Sequence, residues 1–126
     1  MRSNKCSAMP VQTYKDIIAW QKSHQLTLLV YELSEKYPKT ETFGLTSQTR
    51  RCAVSVPSNI AEGFKRRHKN DSIHFYNISQ SSLEELRYQL LLAKDLKYIS
   101  DKQHHQAENL SDEVAKLIYS WIKSQK

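Results

Sequence analysis

The sequence contains few residues that break helices, with only 2 glycines and 3 prolines among its 126 residues. Leucine, serine, glutamine, lysine and glutamate are frequent instead, a composition that favours helices over strands. The two glycines lie too far apart to form the glycine-rich loop that cradles phosphate, which excludes the common nucleotide-binding motifs. We therefore expect a single all-α domain.

Cysteines and long apolar runs are also scarce. Cys6 lies in the N-terminal segment and Cys52 on an apolar helix face, so the 2 cysteines form no disulfide framework. The longest apolar runs, such as residues 28–31, are far shorter than the ~18 residues of a membrane span, and the N-terminus lacks the apolar core of a signal peptide. We expect a cytoplasmic protein with a disordered tail over residues 1–13 and a helical domain over residues 14–123.

The chain has no recognisable catalytic or metal-binding constellation. Asp71 with His74 and Asp101 with His104 come closest to the paired motifs of di-metal bundles, but each aspartate lies at a helix start, where it is a common capping residue. Cys52 has no obvious base beside it, so it is expected in the core. We therefore expect a protein that is not an enzyme and that needs no metal or cofactor.

Four amphipathic segments, separated by short turn signals, fill most of the chain. They cover approximately residues 15–37, 44–69, 71–97 and 100–121. Connections of about 3 to 6 residues leave little freedom for helices of this length. The sequence therefore predicts an antiparallel, up-down-up-down four-helix bundle.

Capping boxes mark the start of two of these segments. Thr13 with Asp16 predicts the start of the first helix, and Ser100 with Gln103 predicts the start of the fourth. Apolar residues at helical spacing predict the core: Leu29, Leu33, Val56, Ile60, Leu83, Leu86, Leu90, Leu110, Val114 and Leu117. Six aromatic residues exceed what such a core needs, and some are expected at a subunit interface: Tyr14, Trp20, Tyr31, Phe43, Phe64 and Tyr76.

The second segment carries a proline in the middle of its helix. Pro57 has no N–H and frees the carbonyl of Ala53, a defect of about 3 kcal/mol that the structure must compensate. We expect the short polar side chains of Ser55, Ser58 and Asn59 to reach the loosened backbone or a neighbouring helix. We also expect Pro57 to bend the helix and so to shape a subunit interface.

Positive charge is concentrated in the same segment. The chain has a net charge of +6, and residues 44–70 contribute six cations against the single anion Glu62. A helix-borne row of cations suits phosphate binding along a nucleic-acid backbone. The alternative is a solvated helix end, with Arg51 or Arg66 paired to Glu62 or Glu85. The six candidate nucleic-acid-binding residues are Arg50, Arg51, Lys65, Arg66, Arg67 and Lys69.

Three strings in the sequence carry a family resemblance: YKDIIAWQKS, ETFGLTSQTRRCAVSVPSNIAEG and IHFYNISQSSLEELRYQLLLAKDLKYIS. Together they resemble the four helix bundle family found in intervening sequences of 23S ribosomal RNA genes, which is similar in fold to the accessory variability proteins of diversity-generating retroelements. The family pattern falls on Arg50, Arg51, Pro57, Ser58, Asn59, Glu62, Gly63, Ser82, Glu85 and Leu86. The chain departs from it at Ser81, where the family commonly has glycine.

The resemblance implies a homopentameric barrel of bundles with a positively charged surface, suited to nucleic acid and to a reverse transcriptase partner. Within this pattern Pro57, Ser58, Asn59, Glu62, Gly63 and Glu85 are expected to be structural or interface residues. Two functional hypotheses follow. One is a non-enzymatic oligomer that binds RNA or DNA, as an accessory factor to a reverse transcriptase; the other is a scaffold ring that binds a protein partner without nucleic acid.

Overall fold

A computed structural model describes residues 10–126, which contain four α-helices and, within that range, no strand. The expected all-α fold is confirmed. The helices are α1 (Ile18–Ser34), α2 (Leu45–Phe64), α3 (Lys69–Asp95) and α4 (Asp101–Gln125), with short 3-10 turns at Tyr14–Asp16 and Lys39–Glu41. Most of the tail predicted to be disordered, residues 1–9, lies outside the described residues.

Both predicted capping boxes are present, but only one of them starts an α-helix. Ser100 Oγ accepts the N–H of Gln103 at 3.0 Å, and Gln103 Oε1 accepts the N–H of Ser100 at 2.8 Å, which confirms the predicted start of α4. The box of Thr13 and Asp16 caps the 3-10 turn instead. Ile17 has extended backbone angles (φ −79°, ψ 120°), so α1 begins only at Ile18 and the predicted start was wrong.

The second helix is shorter than predicted. It ends at Phe64, residues 65–68 connect it to the next helix, and Lys69 already belongs to α3. The N–H groups of Lys65 and Arg66 bond to carbonyls three residues back, and His68 is extended (φ −101°, ψ 135°). The run of cations that follows Phe64 is therefore a turn between two helices, and the prediction of one helix over residues 44–69 was wrong.

Each helix packs against the next along the chain, and α1 also packs against α4. Helices α1 and α3 consequently lie diagonally across the bundle. Arg50, near the start of α2, reaches Ser34 at the end of α1. Arg87 of α3 pairs with Glu108 and Asp112 of α4. Lys15 and Lys65 likewise line one groove where α1 starts and α2 ends.

The predicted core is largely the observed one. Seven of the ten predicted core residues are buried, and Leu29, Leu110 and Leu117 pack against them from partly buried positions. Tyr76, one of the six aromatic residues among which interface residues were expected, is only 1% exposed and belongs to the core. The residues found buried are Leu33, Val56, Ile60, Leu83, Leu86, Leu90 and Val114.

Gly63 provides the space in which Tyr76 is buried. A Cβ atom at position 63 would lie 2.6 Å from Cε1 of Tyr76 and 2.9 Å from the carbonyl oxygen of Ser72. Both distances are shorter than side-chain Cβ contacts in proteins. The glycine therefore allows α2 and α3 to approach closely just before the chain turns between them.

The carbonyl freed by Pro57 has a partner on the neighbouring helix. Thr27 of α1 donates its hydroxyl to the carbonyl oxygen of Ala53 at 3.0 Å. None of Ser55, Ser58 and Asn59 bonds to the Ala53 carbonyl, but Asn59 does donate to a backbone carbonyl of the same helix, that of Ser55. Ser55 does reach another helix, since its hydroxyl lies 2.7 Å from that of Ser82 in α3.

Candidate nucleic-acid interface

One end of the bundle collects exposed cations from four parts of the chain. The start of the described chain, the turn after α2, the first residue of α3 and the end of α4 all meet there. Lys69 Nζ donates to the backbone oxygen of Lys126 at 3.4 Å, which joins the start of α3 to the end of α4. We call this surface the basic end; its cations are Lys15, Lys65, Arg66, Arg67, Lys69, Lys123 and Lys126, all of them exposed.

Three of these cations were missed from the sequence. Lys15, Lys123 and Lys126 are far from residues 65–69 along the chain, and Lys123 and Lys126 line a groove on the α3–α4 side. The signal that could have found them is the order of the helices, because a bundle with short connections places the ends of α2 and α4 beside the starts of α1 and α3.

Few carboxylates offset this charge. Asp16, Glu62 and Asp71 are the acidic side chains of these same segments, which leaves the basic end with an excess of four positive charges. Asp16 Oδ2 accepts the backbone N–H groups of Thr13 and Gln12 at 3.0 and 2.9 Å. These two hydrogen bonds, that of Thr13 first, lower the pKa of Asp16, so its carboxylate is committed to the backbone.

Lys65 and Arg67 are available to a ligand. Both are exposed, and neither forms an ion pair or a side-chain hydrogen bond within residues 10–126. They flank Arg66 in the turn between α2 and α3. A phosphate that approaches this turn therefore meets two unpaired positive charges first.

Arg66 is held by its neighbours. Its guanidinium pairs with Glu62, four residues earlier, and lies over the ring of Phe75 at 4.5 Å from the centroid. The ion pair is one of the alternatives that the sequence left open, whereas pairs of Arg51 with Glu62 or Glu85 do not occur among the described residues. Because the pair is well exposed, its net contribution to stability is small.

Arg50 and Arg51 lie apart from the basic end. Arg51 and Lys65 are separated by about 21 Å along the axis of α2, at 1.5 Å per residue. Arg50 is engaged in the protein: its Nε donates to Ser34 Oγ at 2.8 Å and its Nη2 lies 3.5 Å from Glu35 Oε2. The six predicted cations therefore do not form one helix-borne row, and the expectation of such a row was wrong.

Cys52 and the metal-ligating side chains are the candidate reactive groups in residues 10–126. Cys52 is partly buried and accepts a long contact from Gln89 Nε2 at 3.5 Å. Burial raises the pKa of the Cys52 thiol, which keeps it protonated at neutral pH. Across residues 10–126, no group of three or more His, Cys, Asp or Glu side chains could hold a metal ion. No helix in that range is both long and apolar enough to cross a membrane.

Large apolar side chains are exposed on every helix, and on α1 and α3 they form pairs three residues apart. Leu28 and Tyr31 of α1 are 58% and 42% exposed, and Tyr88 and Leu91 of α3 are 62% and 40% exposed. Because α1 and α3 are diagonal, these two pairs face in different directions. Exposed apolar residues grouped in this way are typical of surfaces that bind another protein.

Comparison with known proteins gives a consistent result. The family model of the 23S rRNA-intervening sequence proteins matches residues 15–120. A solved structure of a protein of unknown function, from the S23 ribosomal protein family of Bacteroides thetaiotaomicron, is similar with a TM-score of 0.77 and 27% sequence identity. That match covers 83% of this chain and 98% of the other. No curated protein matches the chain.

Proposed function

The chain belongs to the family of 23S rRNA-intervening sequence proteins, and we propose that it is a non-enzymatic, homo-oligomeric protein that binds the backbone of RNA or DNA through its basic end. The observation that supports this proposal most is the convergence of exposed cations from four separate parts of the chain on one end of the bundle. A solubilising charge needs no such convergence.

The contacts we propose are to phosphate. Lys65 and Arg67 are unpaired within the described chain, and the planar fork of an arginine matches two phosphate oxygens. Lysine and arginine side chains on a turn position a backbone without reading the bases. The protein would therefore bind many sequences with similar affinity, and added salt would weaken that binding strongly.

We further propose that antiparallel, up-down-up-down bundles assemble into a closed ring, for which the family resemblance suggests five copies. The exposed pairs Leu28 with Tyr31 and Tyr88 with Leu91 support a ring, because surfaces on opposite sides of a protomer make head-to-tail contacts. A ring would bring several basic ends to one rim and add their fields. The resemblance to accessory variability proteins supports a role beside a reverse transcriptase.

A filter-binding titration with structured RNA and with duplex DNA tests the proposal. The apparent affinity should fall steeply as salt rises from about 50 to about 200 mM, by a factor that grows with the number of phosphate contacts. A flat response, or no binding at low salt, would overturn it. In that case a partner protein retained after nuclease treatment, by a variant with Lys65, Arg66, Arg67 and Lys69 replaced by alanine, would favour the scaffold ring.

A further inference from the structure

A groove between α1 and α2 starts close to the basic end. It has a volume of about 360 Å³, within the range of ~300–1,000 Å³ that is common for ligand clefts, and it lies between Trp20 and His24 on one side and Pro57 and Ser58 on the other. A second groove, lined by Lys15 and Lys65, adjoins it at the basic end. Tyr14 lines both grooves, so they adjoin at this side chain, and we call the two together the path.

Three aromatic rings line this path in contact with one another. The rings of Trp20 and His24 are stacked, with centroids 5.1 Å apart and planes inclined by 9°. Tyr14 meets Trp20 edge to face, with centroids 5.1 Å apart. His24 is exposed as well as stacked on Trp20. The stack is therefore open to extension by another flat ring.

We infer that this groove takes an unpaired base of a single-stranded nucleic acid, stacked on His24 and Trp20, while Lys15 and Lys65 hold the adjoining phosphates. The inference rests on the proposed function and adds a preference for single strands to it. Aromatic side chains beside cations are the usual means of binding single strands, because every base has a flat face. A base within a duplex has both faces covered and cannot enter the groove.

The walls of the groove give it little power to choose among bases. Val54, Pro57 and Ala61 are apolar, and the hydroxyl of Thr27 is already committed to backbone carbonyls. Tyr14 and Ser58 carry the other hydroxyls among the lining residues. Stacking on an aromatic ring is tolerant of sequence because every base has a flat face, so the four bases should bind with similar affinity.

Tryptophan fluorescence tests the inference directly. The chain has 2 tryptophans, Trp20 and Trp121, so the variant Trp121→Phe leaves Trp20 as the only reporter. Trp121 lines neither groove, so this substitution leaves their lining unchanged. Titration with a single-stranded oligothymidylate should quench the fluorescence to saturation, whereas a duplex of equal length should leave it nearly unchanged.

An exposed histidine outside the groove gives the matched control. In the same background His24→Ala should weaken binding of the single strand about tenfold and leave duplex affinity unchanged, while His105→Ala should change neither. Salt-sensitive binding of both the single strand and the duplex, without quenching of Trp20 fluorescence, would overturn the inference but not the proposed function. Binding of neither form would overturn both. An altered oligomer size in His24→Ala, with single-strand affinity unchanged, would assign the groove to contacts between copies and also overturn the inference.

Discussion

The hydroxyl of Thr27 in α1 donates to the carbonyl oxygen of Ala53 in α2 at 3.0 Å. Ala53 lies four residues before Pro57, so its carbonyl is the one that loses its helical partner to the proline. The same hydroxyl lies 2.9 Å from the carbonyl of Ser23 in its own helix. A single side chain from another helix thus supplies the hydrogen-bond donor that the Ala53 carbonyl loses to the proline.

Replacing Thr27 with valine should destabilise the protein by about 1–3 kcal/mol, because the shape is kept while a buried carbonyl loses its donor. The loss should shrink when Pro57 is also replaced by alanine, since the new N–H can bond to Ala53. Chemical denaturation of the four chains of this double-mutant cycle measures the coupling, which should be ~1 kcal/mol or more.

Ser111 offers a matched control for this cycle. It is fully buried and donates its hydroxyl to the carbonyl of Ala107 in its own helix at 2.8 Å, and that helix, α4, does not pack against α2. The effect of Ser111→Ala should be the same with Pro57 as with alanine at that position. If the effects of Thr27→Val and Pro57→Ala on the free energy of unfolding were simply additive, Thr27 would not be the residue that compensates for the proline.

Replacing Gly63 with alanine should lower the stability, although alanine is the better helix former. The gain in helix propensity is about 1 kcal/mol, whereas overpacking costs about 1–3 kcal/mol. The cost should prevail here because the new Cβ would meet the backbone oxygen of Ser72 as well as the ring of Tyr76. A Gly63→Ala chain with an unchanged or higher denaturation midpoint would show that α2 and α3 can separate at little cost.

Glu41 should make stability depend on acid pH. The backbone N–H of Leu45 and the hydroxyl of Tyr98 donate to its carboxylate, at 3.0 and 2.9 Å, and lower the pKa of Glu41 in the folded protein. Because the folded pKa is below the unfolded one, this contribution is complete above about pH 4.3 and is lost as the pH falls through the folded pKa.

The variant Glu41→Gln keeps an acceptor oxygen but does not titrate. Between about pH 5 and pH 2.5 it should therefore lose less stability than the original chain in denaturant titrations at several pH values. Asp16, whose pKa is also lowered, keeps some pH dependence in both chains. Equal losses in the two chains would exclude Glu41 as a contributor.

The proposed ring makes Tyr88 an interface residue. Replacing it with aspartate would place a charge in a contact between protomers, and light scattering should then show a lower molar mass than for the original chain. Leu96→Asp, at an exposed apolar residue just after α3, should leave the mass unchanged. If the original chain is itself monomeric, the proposed ring is wrong.

The start of α4 and most of the core could be predicted because their signals are local. Ser100 and Gln103 bond to each other, and apolar spacing identifies Val56 and Leu86 without knowledge of their neighbours. The end of α2 could not be predicted, because residues 65–69 contain neither glycine nor proline. Their five basic residues are as compatible with a continuing helix as with a helix end.

Features that depend on contacts between helices were the ones the sequence did not determine. Tyr76 looked like a surplus aromatic because its burial depends on the absence of a side chain at Gly63. Thr27 gave no signal because its partner Ala53 lies in another helix. For the same reason only part of the basic end was predicted. The cations of residues 65–69 were predicted because they are contiguous, whereas Lys15, Lys123 and Lys126 join them only in the folded bundle.

The most direct test of the account is the salt dependence of duplex DNA binding by a variant with Lys65→Gln and Arg67→Gln. Each lost phosphate contact should reduce the slope of log affinity against log salt by about 0.9, so the slope should fall by about 2. Arg51→Gln is the control, since Arg51 is also exposed but lies nearer the other end of α2. For that control the slope of log affinity against log salt should be unchanged. Equal slopes for all three chains, or a larger loss in Arg51→Gln, would contradict it.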